Sequence, residues 1–479
     1  MALTDPVVST PYSDIHERFL TIEADLDLFS LTVDGVHIWE WIRYDVFQEI
    51  MFSKDVWYHH EPLSRGIRDR LKGAYLLARN TVIRNPFFTP QSDLLYYGHS
   101  RRNQMDDGRW WDIYCDPIHE ASDVDYQHVE EPFLNRHFRP AKTTNLRYLD
   151  LIHYFGSLTE EFDLGSVSPS ERERDELRAI HDRIRSEFDI EVDVTGKALN
   201  KLRRHKATVG LYERVLNRVN PELVVLVASS GKETFISACK NLDIPVAELQ
   251  HGHISEYLIE YSFPGDRTKR TFPDFLLTFG KFWNHTGAYP IDQDHVIDVG
   301  FPYLDRCKRT YADVESTNQI LFMSQWMITP ELSKFAVELS EQLGTDRDIV
   351  YKLHPDEYEN WQRLYPWLAE SGIEVADPDG RTLHRLLAES GVQVAVYSTT
   401  IFEGLSYGLD TYLVELPGVE HMTPLIERGD ATLVDSPERL SEELRDSRDG
   451  AGTKPDFFRE NSLNRVCEVI RGLQKGGNE

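Results

Sequence analysis

Lysine is scarce in this 479-residue chain: only 15 of its 52 basic residues are Lys, and the 52 are outweighed by 80 Asp and Glu, for a formal charge of −28. So acidic a surface repels polyanions rather than steering them in, which excludes nucleic acid as an expected partner. The acids are spread along the chain and not gathered in one tail, a pattern that predicts adaptation to high salt, where dense carboxylates keep the surface hydrated. Cysteine is scarcer still. Cys115, Cys239, Cys307 and Cys467 stand far apart with no Cys-x-x-Cys spacing, which excludes a zinc knuckle or a disulfide framework and fits a reducing cytoplasm. No stretch approaches the roughly 18 to 20 apolar residues that cross a bilayer. The start, Met1-Ala2-Leu3-Thr4-Asp5, has no basic segment followed by an apolar core, so no secretory leader is expected. Repeats and low-complexity tracts are also missing, apart from the charged run Ser170 to Glu187, which reads as helix.

What is present is alternation. From Pro221 to Gly300 short β-rich apolar runs alternate with amphipathic stretches, as in a doubly wound α/β sheet. Leu223 to Val227 reads as a buried strand, Lys232 to Leu242 as a helix and Pro245 to Leu249 as the next strand, broken at Gln250-His251-Gly252; further strands are expected at Phe275 to Thr278 and Val296 to Val299. After a polar stretch around Thr310 to Asn318 a second series begins, with strands at Ile320 to Met323, Ile349 to Leu353, Val392 to Val396 and Thr411 to Val414. The chain therefore divides into an N-terminal elaboration (1–90), a first Rossmann-like domain (91–315) whose clearest early strand is Leu94 to Tyr97, and a second (316–479) carrying a terminal helix able to pack on either lobe. The fold class is α/β, with two doubly wound parallel-sheet domains facing a cleft.

One segment runs against the general charge. Between Ser64 and Arg84 lie Arg65, Arg68, Arg70, Lys72, Arg79 and Arg84, interleaved with Ile67, Leu71, Tyr75, Leu76 and Ile83. It reads either as an amphipathic helix for peripheral contact with a membrane or, more simply, as a helix that packs its apolar side on the body and turns Arg outward.

The chemistry is concentrated in the second half. The strand ending in Lys352-Leu353 stops at His354-Pro355, and 44 residues after His354 a second strand stops at Ser398-Thr399-Thr400. Carboxyl ends of strands are where open α/β sheets bind ligands. There an imidazole, hydroxyls and the N–H groups of a helix opening near Thr400 form a phosphate cradle without a P-loop. Each part also has a structural reading: Pro355 ends a strand, Ser398 caps a helix, and Thr400-Ile401-Phe402-Glu403 fits the capping box S/T-x-x-E.

Lys352-Leu353-His354-Pro355 and Val396-Tyr397-Ser398-Thr399-Thr400-Ile401-Phe402-Glu403-Gly404-Leu405-Ser406-Tyr407-Gly408 resemble the GT-B transferases of surface polysaccharides: capsule-synthesis proteins, bacterial sialyltransferases, Kdo transferases and teichoic-acid glycerophosphotransferases. The resemblance covers roughly Pro221 to Val434. It implies that His354, Ser398 and Thr399, flanked by Pro355 and Thr400, hold the phosphate of a nucleotide-activated donor, commonly CMP or CDP. It makes Glu403 the acid facing the donor sugar or ribose, with helix capping as its alternative, and Asp379 a ribose candidate.

In the first lobe Gln250-His251-Gly252-His253 follows a strand directly. His251 is placed to take the acceptor hydroxyl's proton, its ordinary pKa lying near working pH, or is a turn histidine bonded to backbone. Gly252 and Ser230 line the same wall. A metal site at His251 and His253 is not expected, because no further ligand stands at suitable spacing; the Asp-x-Asp pairs are what so acidic a chain contains by chance. Ser229-Ser230-Gly231-Lys232-Glu233-Thr234 is similar to a P-loop but lacks its first glycine and its spacing. The function expected is metal-independent glycosyl transfer, without a cofactor, from a nucleotide sugar to a surface-glycan or lipid-linked acceptor. Glycerophosphate transfer, UDP-sugar epimerisation and a non-catalytic nucleotide-binding subunit of a polysaccharide machine are the alternatives.

Overall fold

The computed structural model describes residues 10–58, 67–105, 107–165, 167–344, 346–355, 357–358, 360–377, 380–446 and 456–476. Its first sheet is built from β1 (Leu94–Tyr97), β2 (Tyr126–Glu130), β3 (Leu146–Tyr148), β4 (Leu223–Val227), β5 (Val246–Leu249), β6 (Phe275–Thr278) and β7 (Val296–Asp298). All pairings are parallel, in the order β3-β2-β1-β4-β5-β6-β7. Each of the five residues Leu223–Val227 is fully buried. That is why β4 is an unbroken apolar run rather than an alternating one: helices cover both faces of a parallel sheet.

The second sheet repeats the plan. It comprises β8 (Gln319–Met323), β9 (Ile349–Lys352), β10 (Glu374–Val375), β11 (Ser390–Ala395), β12 (Asp410–Val414) and β13 (Thr432–Val434), again all parallel, in the order β10-β9-β8-β11-β12-β13. In both sheets the third, second and first strands run one way from the middle and the fourth onward run the other. Each sheet therefore has a switch point beside its first strand, between β1 and β4 and between β8 and β11, where a crevice opens at the carboxyl ends. Two Rossmann-like domains facing one another are the expected GT-B architecture.

The N-terminal segment was not legible as a clasp, but it is one. Helices α1 (Pro11–Asp25) and α2 (Trp39–Ser53) pack through Phe19, Trp39 and Phe47. Arg43, inserted from α2, bonds the Glu23 carboxylate (Nε to Oε1 2.6 Å) and the carbonyls of Ile259 and Ser262 in the first lobe. At either end the segment reaches the second lobe: Thr10 N–H donates to Glu420 (3.1 Å), and Tyr58 N–H donates to the Met327 carbonyl (3.0 Å).

Helices α3 (Ile67–Asn80), α4 (Asp116–Ala121), α5 (Asp150–Glu161), α6 (Glu171–Phe188) and α7 (Val194–Val219) complete the first half. Helix α3 forms as its spacing predicts, but Leu71 and Tyr75 point outward, 64% and 63% exposed, so the simpler expectation that its apolar side packs on the body fails. Gly73 and Asn80 face the body instead: Gly73 leaves room for the Tyr154 ring, and Asn80 bonds Asp150 at 2.8 Å. No helix among the described residues is long and apolar enough to cross a membrane. The terminal helix, Ser462–Gly476, follows the second sheet in sequence but packs Val466, Cys467 and Ile470 among first-sheet residues such as Tyr96, Val225 and Leu277. Gly300 permits this return. It sits at φ 91°, and a β-carbon there would lie 2.3 Å from that of Ser462.

Candidate active site between the lobes

Three first-lobe loops converge at the β1/β4 switch point. After β1, Gly98 is packed so closely that a β-carbon would lie 2.2 Å from His128 Nε2 and 2.3 Å from Asp112 Oδ2. The next residue, His99, donates its N–H to that same aspartate oxygen at 2.9 Å. After β4 the chain turns through Ala228 (φ 58°) and Gly231 (φ 77°). Glu248, buried in β5, accepts from Ser229 N–H at 3.0 Å and from the Tyr261 hydroxyl, and the Ser230 hydroxyl bonds Glu260. Burial raises the pKa of both carboxyls. Lys232 settles the P-loop likeness: its ammonium turns inward to the carbonyls of Val227 (2.8 Å) and Ala228 (2.5 Å), under the Tyr97 ring, and is not presented to a phosphate.

After β5, Gln250 shapes the turn, donating to the Gly252 carbonyl (2.7 Å) and accepting from Phe279 N–H (2.7 Å). The His251 carbonyl accepts from the Tyr114 hydroxyl at 2.7 Å. Its half-buried ring stacks near His99, centroids 6.4 Å apart, with Tyr261 at 6.3 Å. Burial first, then the neighbouring His99, Lys232 and His253, pull the His251 pKa down to about 3. The ordinary pKa of histidine near working pH does not carry over to this site: the imidazole is neutral and weakly basic until a negative group enters beside it.

Across the cleft, the turn after β9 is clamped by Glu357, whose carboxylate accepts from His354 N–H (3.1 Å) while its own N–H donates to the His354 carbonyl (3.0 Å). This fixes the half-buried His354 at the strand end and leaves Pro355 exposed. Lys352, the last residue of β9, donates to the Tyr358 hydroxyl at 2.9 Å; burial, and then the charge of Arg101 from the opposite lobe, lower its pKa to about 8. After β11, Ser398 caps the helix Thr399–Tyr407, its Oγ accepting from Thr400 N–H (3.2 Å) and from the Thr400 hydroxyl (2.8 Å). Thr399 Oγ1 accepts from His253 N–H at 2.7 Å, joining the lobes, and Gly252 lies beside it, with a β-carbon there 3.4 Å away. His354 and Ser398 end strands that flank β8, so they stand two strand spacings apart, roughly 10 Å.

Glu403 does not cap. Because Ser398 holds the cap position, the box read from Thr400 to Glu403 is not formed, and Glu403 lies a turn further on, 7% exposed. Its Oε2 has no hydrogen-bond partner among the described residues, and His384 Nε2 is 3.8 Å away. Burial lifts its pKa to about 8, which keeps the carboxyl largely protonated at neutral pH. Asp379 lies outside the described residues.

No protein-family profile and no curated protein sequence matches this chain. Its structure is similar to that of the UDP-GlcNAc 2-epimerase of Methanocaldococcus jannaschii in complex with UDP-GlcNAc and UDP (TM-score 0.46, 14% identity, covering 79% of this chain and 99% of the other). It is similar to the UDP-GlcNAc 2-epimerase of Neisseria meningitidis bound to UDP-GlcNAc (0.47, 13%, 79% and 99%). It also resembles the wall teichoic acid polymerase TagF with CDPG (0.40, 11%, 86% and 100%).

Sequence reasoning passed over Arg101, His99 and Glu260, and it quoted Lys352 without giving it a role. The signal for His99 and Arg101 was available: they follow the first strand of a Rossmann-like unit, the place where such sheets bind ligands. Among the described residues, one cluster has metal-ligating chemistry, Asp112, Cys115 and His128, with ligand atoms within 4.8 Å of one another. It includes neither His251 nor His253.

Proposed function

We propose that the chain is a glycosyltransferase that moves a sugar from a CMP- or CDP-linked donor to a surface-glycan or lipid-linked acceptor. The observation that carries this reading is the pair of strand ends in the second lobe, Lys352 with His354 after β9 and the Ser398-capped helix after β11, which the charge of Arg101 reaches from the first lobe. Two cations near enough for one to lower the proton affinity of the other favour a dianionic or diphosphate guest, which relieves their repulsion. In the proposed reaction the acceptor oxygen attacks the anomeric carbon, its proton passes to a ring nitrogen of His251, and the bond from that carbon to the phosphate oxygen breaks. The charge left on the phosphate falls to Lys352, Arg101, His354 and the hydroxyls and N–H groups at the start of the helix Thr399–Tyr407. The same anion raises the basicity of His251 when the complex forms.

One observation favours a second reading. Glu403, kept protonated between the lobes, and the buried carboxyls Glu248 and Glu260 are an acid and candidate bases for proton transfer on the sugar itself, as an epimerase requires. Calorimetric titration of CMP, CDP, UDP and GDP, with His354→Ala as the control, tests both. A cytidine nucleotide bound tightly and lost in the variant supports transfer. Binding of UDP, with solvent deuterium entering a UDP-sugar in the absence of acceptor, supports epimerisation. Binding without turnover leaves the non-catalytic nucleotide-binding subunit, and no binding by any of the four overturns both readings.

A further inference from the structure

All but one of the exposed large apolar side chains among the described residues fall in two stretches of sequence, 71–88 and 134–164; the exception is Tyr58. They belong to α3, to α5, to the segments that follow these helices and to the turn 133–136. Leu71 and Tyr75 stand on the outer side of α3, Val82 and Phe88 follow it at 79% and 73% exposure, and Phe155 and Phe162 are exposed along and just beyond α5. The three pieces are one surface. The Asn80–Asp150 bond and the approach of Gly73 to Tyr154 set α3 antiparallel against α5, and the Tyr154 hydroxyl bonds Asn135 of the turn at 3.0 Å. Both helices thus turn an apolar stripe away from the body, the reverse of an ordinary surface helix.

The charge on this face is equally at odds with the rest of the chain. In sequence, residues 64–84 carry six basic residues against Asp69 alone, in a protein of net charge −28; among the described side chains of this face Lys72, Arg136 and Arg139 are exposed, with Glu161 and Asp163 the exposed acids beside Phe162. We infer that this face docks in the plane of an anionic lipid surface, with the apolar stripes at acyl depth and the Arg and Lys heads at the phosphates. Helix α3, 14 residues long, spans about 21 Å, short of the roughly 30 Å hydrocarbon core, so it lies in the interface and does not cross it. A second copy of the chain is the poorer occupant, because a two-fold contact through this face sets one basic patch against the other. For the rest of so acidic a molecule an anionic membrane is repulsive, so this face is the one by which it approaches.

The test is flotation of the full chain with 100-nm vesicles of phosphatidylcholine alone and of phosphatidylcholine with phosphatidylglycerol at about 7:3, at low salt. The wild type is expected to float with the anionic vesicles at least about five-fold more than with the neutral ones. The triple variant Leu71→Glu, Tyr75→Glu, Phe162→Glu is expected to lose about ten-fold of that binding with an unchanged melting temperature, since all three side chains are exposed. Lys72→Glu with Arg136→Glu is expected to remove the preference for phosphatidylglycerol. Absence of wild-type flotation, or flotation unaffected by the triple variant, overturns the inference. So does a dimer in sedimentation that the triple variant dissociates, because the face then belongs to a second copy.

Discussion

Replacing Glu403 by Gln should make the protein more stable in alkali than the wild type while changing little in acid. The carboxyl is 7% exposed, its Oε2 is without a partner among the described residues, and the nearby His384 is itself driven neutral by burial, its pKa pulled down to about 4. Nothing offsets desolvation of the charged form, so the proton is held to about pH 8 in the folded chain, against about 4.3 when unfolded. Between those values the native state binds more protons than the unfolded state, and stability falls as pH rises, levelling off above the folded value. For one such carboxyl the decline between about pH 5.5 and about pH 9 is about 3 kcal/mol. Urea unfolding of wild type and Glu403→Gln at both pH values measures it. Taking the difference between the two proteins cancels the similar contributions of Glu248 and Glu260, whose pKa values burial also raises. Equal pH slopes in the two proteins would refute the reasoning and return Glu403 to an ionised, solvated role.

His354→Ala should weaken nucleotide binding by about ten-fold or more, whereas His251→Ala should leave binding intact and abolish turnover; calorimetry beside a product assay separates them, and the reverse pattern exchanges the two roles. Lys352→Met should likewise cost about ten-fold in nucleotide affinity at neutral pH. It should also remove the fall in affinity that the wild type shows as pH climbs past about 8, since the wild-type ammonium loses its charge there; calorimetry on either side of that pH reads both effects. Arg43→Met leaves the buried Glu23 carboxylate to Arg267 and Trp39 alone and frees the Ile259 and Ser262 carbonyls, so it should destabilise the chain by about 1–3 kcal/mol in urea unfolding and expose the clasp to limited proteolysis first.

The second half of the chain was legible because its signals are local. Leu223 to Val227 is an apolar run wherever it is placed, and a strand followed by His-Pro or by Ser-Thr-Thr states its own end. The environment of a side chain is not local. Glu403 was read as the acid facing the donor, with a cap at a spacing of three residues as the alternative; the helix is capped by Ser398 instead, and only burial in the fold makes this carboxyl an acid near neutral pH. The lowered pKa of His251 was not legible because it follows from burial and from the proximity of His99, which strand pairing brings across more than 150 residues. Helix α3 was found, but not its outward face, because amphipathic spacing says that a helix has two sides and not which one the body covers.

By itself, then, the amino-acid order determined where strands and helices lie, where they stop, and which polar groups stand at strand ends, since backbone preference and apolar periodicity act over a few residues. The tertiary structure alone decided the doubled strand order with its two switch points, the clasp of residues 10–58 across both lobes, and the bond from His253 N–H to Thr399 that joins the lobes at the site. Each of these is a contact between residues far apart in the chain, and burial, charge and proton affinity at the site are consequences of those contacts.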